Sequence, residues 1–270
     1  MFAAGLITFR ETLEAVLVIG IVLTFIVKTN QHVFKRFVVR GVAAGIGVAV
    51  VLGFALDIFF GGLSGKTEEI FEGVLMFVTA GFLTWMILWV HRQKDVAKKI
   101  KEKVALHAEK GYGLGIFILV STSVLREGVE TVLYLKASSL IGATNQLFGA
   151  IIGIIAALGL GYGLFKWAIG VNLSRVFTVT SVFLLLFAAG LVGHGVHEFQ
   201  EAGLLPIFSF DPVLNISNIL DHKSTVGGLL RVVFGYTSRP TMLELVSYGS
   251  YIAFVFWLER LTDRLLAKRV

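Results

Sequence analysis

Two short segments of the chain carry the same charged pattern within apolar surroundings. Residues 10–17 read RETLEAVL and residues 126–133 read REGVETVL, which are identical at five of eight positions. On a helix, the two glutamates of each segment stand three residues apart and share one face. The arginine precedes the second glutamate by four residues, which is the spacing of a helical ion pair. The residues concerned are Glu11, Glu14, Glu127 and Glu130, with Arg10 and Arg126.

These side chains have the chemistry of a site for a hard cation. Four carboxylates and two guanidinium groups together carry a charge of −2, and ligand sets made only of oxygen suit Fe3+, Mn2+, Ca2+ or Mg2+. The chain has no cysteine, which excludes a thiolate site, and the oxygen ligands disfavour Cu+. The alternative is that each motif is a self-contained salt-bridge network that holds helices together.

The motifs lie in a chain whose composition is typical of a membrane protein. Its 270 residues are 56% hydrophobic and 16% charged, whereas soluble domains contain about 25% charged residues. Apolar residues form blocks of roughly 20 or more, enough for a helix to cross about 30 Å of hydrocarbon. We therefore predict an all-α polytopic membrane protein with seven transmembrane helices. The predicted spans are approximately 4–27, 38–60, 69–90, 113–136, 146–168, 176–199 and 242–260.

The order of the spans indicates an internal repeat of inverted topology. Three spans separate the starts of the two motifs, so the fourth helix runs opposite to the first. Gly41 and Gly45 open the second span as Gly149 and Gly153 open the fifth, a packing signal in equivalent places. Transporters built from inverted repeats bind substrate near the membrane midplane between the repeats. We predict a single membrane domain, 1–270, with a 3+3 inverted repeat (1–91 and 111–201), then an extracellular loop and an extra C-terminal helix (202–270).

The distribution of lysine and arginine predicts the orientation of the chain. Basic residues are concentrated in the linker 92–110, in the other connections on the same side and in the C-terminal tail. By the positive-inside rule these parts are cytoplasmic, so we expect a multi-pass protein of the cell membrane with its N-terminus outside and its C-terminus inside. The opposite face is net negative and would concentrate cations. The basic pI of about 9.5 therefore reflects topology, and we expect lipid but no nucleic acid as a partner.

The two charged segments at residues 10–17 and 126–133 closely resemble the high-affinity iron permease family. In that family two R-E-x-x-E motifs lie in the first and fourth of seven helices. In that family the motif glutamates are needed for iron uptake. The likeness extends to residues 190–203, which read GLVGHGVHEFQEAG, and to residues 230–248, which include FGYTSRPT. The resemblance implies a transmembrane iron permease and not an enzyme, with Fe3+ or Fe2+ as substrate and no cofactor. From the inverted repeat we expect inward movement by alternating access. The resemblance also implies a separate ferroxidase or periplasmic iron-delivery protein as partner.

Two other functions remain open from the residues alone. One is a permease for another metal, such as manganese or lead. The other is a membrane di-iron carboxylate oxidase, because paired glutamates from several helices also hold di-iron centres. Such bundles typically use Glu-x-x-His from two helices, and Glu14 and Glu130 stand where histidine would be needed. The sequence therefore favours transport over oxidation.

A second set of candidate metal ligands lies on the predicted outer side. His194, His197, Glu198 and Glu201 recur at intervals that place them on one stripe of a helix. We call these four residues, together with three glutamates at the start of the third span, the outer His/Glu group. We predict that this group binds iron before the iron reaches the central site. The alternative is a set of polar helix-end residues packed against the outer loop. The three glutamates are Glu68, Glu69 and Glu72.

Overall fold

A computed structural model describes residues 2–90, 104, 113–141, 145–167, 173–205, 227, 230, 234–238 and 240–267. Within these ranges the chain forms seven long α-helices and no β-strand, as predicted. The helices are α1 Phe2–Lys28, α2 Lys35–Gly61, α3 Lys66–Val90, α4 Gly113–Leu140, α5 Gln146–Trp167, α6 Leu173–Glu201 and α7 Met242–Ala267. A short 3-10 helix, His32–Phe34, precedes α2. The predicted linker 92–110, apart from residue 104, and residues 206–226 of the predicted outer loop lie outside the described residues.

Local sequence explains where two of the helices end. Asn30, with φ of 55°, follows α1, and Gly203, with φ of 73°, follows α6. In the second case Gly203 N–H donates to the Gln200 carbonyl at 3.0 Å and Leu204 N–H to the Phe199 carbonyl at 2.9 Å. This is the Schellman arrangement, which needs a left-handed residue and so favours glycine or asparagine.

Four of the helices are long and apolar enough to cross a bilayer by length and composition. They are α2, α3, α5 and α6. The two motif-bearing helices, α1 and α4, lie outside that group, as does α7. Large apolar side chains such as Val51, Ile58 and Leu147 are exposed on α2 and α5. An exposed apolar surface on this scale fits contact with lipid.

The helices pack in pairs that cross between the two halves of the chain. α1 lies along α5, and α2 lies along α4. In addition, α1 crosses α4, α3 packs on α6, and α6 packs on α7. The first two pairs are parallel. Gly5 approaches Gly149 at one end of the α1–α5 pair, and Gly20 approaches Phe165 at the other. Consequently each three-helix half contributes its first helix to a pair with the middle helix of the other half.

Close backbone contacts occur at equivalent positions in both halves. A methyl group on Gly153 would lie 2.2 Å from the Gly5 carbonyl oxygen, and one on Gly45 would lie 2.9 Å from the Ser121 carbonyl oxygen. In sequence, Ser121 stands before the second motif where Gly5 stands before the first. Glycine at 45 and 153 therefore lets α2 and α5 touch the motif-bearing helices at equivalent points.

Candidate metal site

The two motifs meet where α1 crosses α4. One carboxylate oxygen from each of Glu11, Glu14 and Glu127 lies within 4.8 Å of the other two. Across the described ranges these residues form the one group of three or more acidic or histidine side chains with ligand atoms so close together. The structure thus brings together three of the four glutamates predicted as metal ligands, from two helices that are far apart in sequence.

The fourth predicted ligand, Glu130, is buried beside this group but is not one of its members. Its Oε2 atom accepts a hydrogen bond from the Tyr134 hydroxyl at 3.2 Å. Its Oε1 atom lies 3.6 Å from Nε of Arg126. These two contacts, both within α4, direct the carboxylate along its own helix.

The two arginines neutralise part of the charge in different ways. Arg10 is completely buried and pairs with Glu11 at 3.1 Å and with Glu14 at 3.0 Å. Its guanidinium also contacts the Met86 sulfur. The Arg126 side chain is 41% exposed, pairs with Glu127 at 2.7 Å and reaches Glu14 of the other motif at 3.8 Å. Arg126 therefore links the two motifs, whereas Arg10 is enclosed by the helix packing.

Two buried carboxylate oxygens in this group of glutamates lack a hydrogen-bond donor. Oε2 of Glu11 and Oε2 of Glu127 are buried and accept no hydrogen bond from any described residue. A buried polar group left without a partner costs about 1–3 kcal/mol, and a charged one costs more. A cation bound between the helices would supply the missing interaction, so these oxygens fit a metal ligand role.

Two residues that contact the site, Tyr134 and Met86, were not predicted from the sequence. The Tyr134 hydroxyl lies 4.0 Å from the Met86 sulfur and bonds to Glu130. The signal for Tyr134 was available, because it follows Glu130 by four residues and so stands on the same helix face. Met86 comes from α3 and carries no local sequence signal of its role.

The outer His/Glu group lies at one end of the α3–α6 pair. Gly73 near the start of α3 approaches the Gly195 carbonyl of α6, and Phe77 stacks on Phe199 at 5.5 Å. These contacts place Glu72 of α3 near Glu198 and Glu201 of α6, and Glu68 and Glu69 near Glu198. Within the described part of the chain these side chains do not form a group with three ligand atoms at coordinating separation. Their role in receiving metal stays a prediction.

The histidines of this group have defined partners. His194 Nδ1 lies 3.0 Å from the Gly190 carbonyl oxygen on the same helix. His197 lies between two carboxylates, 3.2 Å from Glu201 and 3.2 Å from Glu244 of α7. Glu244 also accepts a hydrogen bond from Thr241 N–H at 2.9 Å, which forms a capping box at the start of α7. The T-x-x-E spacing could have identified this cap from sequence.

Comparison with known proteins places the chain in a family. The family model described as "Iron permease FTR1 family" matches residues 1–265, and the chain belongs to this family of iron permeases. The confirmed resemblance covers nearly the whole chain, and with its apolar helices the protein is a multi-pass membrane protein. The family supports iron transport, rather than an enzymatic reaction, as its activity.

Individual relatives agree over almost their full length. "Ferrous iron permease EfeU" of Yersinia pestis is 32% identical over 266 residues, covering 93% of this chain and 90% of the relative. The protein of the same name from Escherichia coli O6:H1 is 30% identical over 257 residues, covering 93% and 92%. An uncharacterised protein of Archaeoglobus fulgidus is 33% identical over 260 residues, covering 94% and 92%. No solved structure shows a significant match to this chain.

Proposed function

We propose that this protein is an iron uptake permease whose central site is formed by the glutamates of the two R-E-x-x-E motifs. The observation that carries this proposal is the convergence of Glu11, Glu14 and Glu127, with ligand oxygens within 4.8 Å of one another. Glu130 is buried next to them but is not part of this group of three. The oxygen-only ligand set accommodates either oxidation state of iron, and the names of the bacterial relatives support ferrous iron as the form supplied.

We further propose that the seven helices all span the membrane as a 3+3 inverted repeat followed by α7. The equivalent contacts of Gly45 with Ser121 and of Gly153 with Gly5 support this arrangement. The charged motif residues lower the hydropathy of α1 and α4, so these helices are not purely apolar. Motif side chains of the two helices nevertheless contact each other, as Arg126 and Glu14 do. The basic linker and tail support an external N-terminus and a cytoplasmic C-terminus.

The proposed transport cycle begins at the outer His/Glu group, whose carboxylates attract the cation. The ion then exchanges water for the carboxylates of the central site. Rocking of one repeat against the other opens this site to the cytoplasm, as in other transporters built from inverted repeats. Arg10 and Arg126 orient the glutamates and limit the negative charge. The family resemblance supports a separate ferroxidase or iron-delivery protein outside the membrane.

Radio-iron uptake into proteoliposomes tests the proposal. We expect the wild type to accumulate iron and the Glu14→Gln, Glu130→Gln double variant to lose uptake, because both motifs lose a carboxylate. Assays with ferrous iron under reducing conditions and with ferric citrate identify the oxidation state. Glu259→Gln, a glutamate change on α7 away from the motifs, is the matched control and should keep wild-type uptake. Undiminished uptake by the double variant would refute the central site.

A further inference from the structure

The two copies of the motif differ at the position four residues after the second glutamate. This position is Val18 in the first copy and Tyr134 in the second. Tyr134 is fully buried, and its hydroxyl donates to Oε2 of Glu130 at 3.2 Å. Val18 has no hydroxyl and offers nothing comparable to Glu14. The pseudo-equivalent glutamates therefore differ, because only Glu130 accepts a hydrogen bond from a tyrosine on its own helix, while Glu14 pairs with Arg10.

The positions of the carboxylates follow this difference. Glu14, without such a partner, takes part in the three-carboxylate group, whereas Glu130 does not. Glu14 is also reached by both arginines, at 3.0 Å from Arg10 and 3.8 Å from Arg126. Glu130 interacts with Tyr134 and Arg126, both on α4. In this conformation the site presents three carboxylates, and the fourth, that of Glu130, is not part of the group.

We propose that Tyr134 is a positioning residue that holds Glu130 out of the iron site, so that the site binds iron with three carboxylates and can release it. This inference rests on the proposed function. A transport site must bind its ion well enough to take it up and weakly enough to let it go. A fourth carboxylate would add a ligand and a negative charge, and would retain the ion.

Equilibrium binding of Fe2+ to the purified full-length protein, under anaerobic conditions, tests the inference. Tyr134→Phe removes the hydroxyl and keeps the ring. We expect it to bind Fe2+ about tenfold more tightly than the wild type, equivalent to about 1.4 kcal/mol. In proteoliposomes the same variant should show a lower KM and a lower maximal uptake rate. A merely structural role would instead weaken binding or raise KM.

A second variant connects the effect to Glu130. In Tyr134→Phe, Glu130→Gln the extra affinity should disappear, because the released group is no longer a carboxylate. Tyr251→Phe is the matched control, since it removes another hydroxyl within the bundle, one that lies 2.7 Å from the Thr84 hydroxyl. It should leave Fe2+ affinity unchanged.

The possible results separate this inference from the function on which it rests. If Tyr134→Phe binds no more tightly than wild type while Glu11→Gln abolishes binding, the positioning role is overturned and the iron site stands. Tightening that persists in the double variant, or that also occurs in Tyr251→Phe, overturns it as well. If Glu11→Gln binds Fe2+ like the wild type, the proposed central site and the role of Tyr134 both fall.

Discussion

The close packing of α1 on α5 makes the iron site sensitive to one methyl group at Gly153. A Cβ there would lie 2.2 Å from the Gly5 carbonyl oxygen and 2.2 Å from the Thr8 hydroxyl oxygen. Carbon–oxygen contacts of this kind need about 3.3 Å, so Gly153→Ala forces the helices apart by roughly 1 Å. The Thr8 hydroxyl also hydrogen-bonds the Ala150 carbonyl at 3.0 Å, and this bond is disturbed by the same shift.

We expect Gly153→Ala to lower stability by about 1–3 kcal/mol, the usual range for overpacking a core. At about 2–4 °C per kcal/mol, the melting temperature in detergent should fall by several degrees. Uptake should fall too, because α1 carries Glu11 and Glu14 and metal sites tolerate ligand shifts of only about 0.2 Å. Gly45→Ala, with its contact at 2.9 Å, should have a smaller effect of the same kind.

The matched control is Gly159→Ala on the same helix. A Cβ at Gly159 would meet nothing within 4 Å, and alanine favours a helix over glycine by up to about 1 kcal/mol. We expect no loss of stability and normal uptake. Thermal unfolding of the purified proteins, followed by tryptophan fluorescence, gives the ranking directly. If Gly159→Ala destabilises the protein as much as Gly153→Ala does, the close approach of α1 and α5 is not the cause and the reasoning fails.

Three further predictions concern the charged residues. Glu11→Gln and Glu127→Gln should each abolish uptake while size-exclusion profiles show folded protein; normal uptake in both would exclude the central site. Arg10→Leu should destabilise by about 3–5 kcal/mol because it leaves Glu11 buried without its partner, whereas Arg126→Leu should cost less, because the Arg126 side chain is 41% exposed and its ion pairs are partly screened by water; equal melting temperatures for the two variants would contradict this. Glu244→Ala should lower stability by about 0.5–2 kcal/mol through loss of the capping box, and an unchanged melting temperature would show that the cap is unimportant.

The helices could be predicted from sequence because apolar residues predominate along them, although only α2, α3, α5 and α6 are long and apolar enough to cross a bilayer by length and composition. The main difference is at the end of α7, which continues to Ala267 beyond the predicted limit of residue 260. Residues 259–264 read ERLTDR, and such a charged segment gives no hydropathy signal. It still forms a helix, because arginine, leucine and glutamate favour that structure. Hydropathy therefore locates the part of a helix that suits a bilayer but not its full length.

The candidate site was predictable in its residue types but not in its geometry. The repeated motif identified the glutamates, and inverted topology predicted that they converge. Sequence could not show that Arg10 is buried and Arg126 exposed, because both stand in the same motif and differ only in the surrounding helices. The sequence also did not predict which helix Gly149 and Gly153 contact. Their spacing indicates close helix packing but does not identify the partner helix.

The crossed pairing of helices has a consequence for synthesis of the protein in the membrane. α1 finds its main partners, α5 and α4, only in the second half of the chain. Ionisable residues at the centre of a lone helix oppose insertion by at least about 2.5 kcal/mol each. At roughly 5–20 residues per second, the ribosome needs about 6–23 s to travel from the first motif to the second. During that interval the new α1 has neither its apolar neighbour nor its charge partners, so we expect early intermediates to depend on insertion factors or chaperones that shelter the first motif until α4 and α5 arrive.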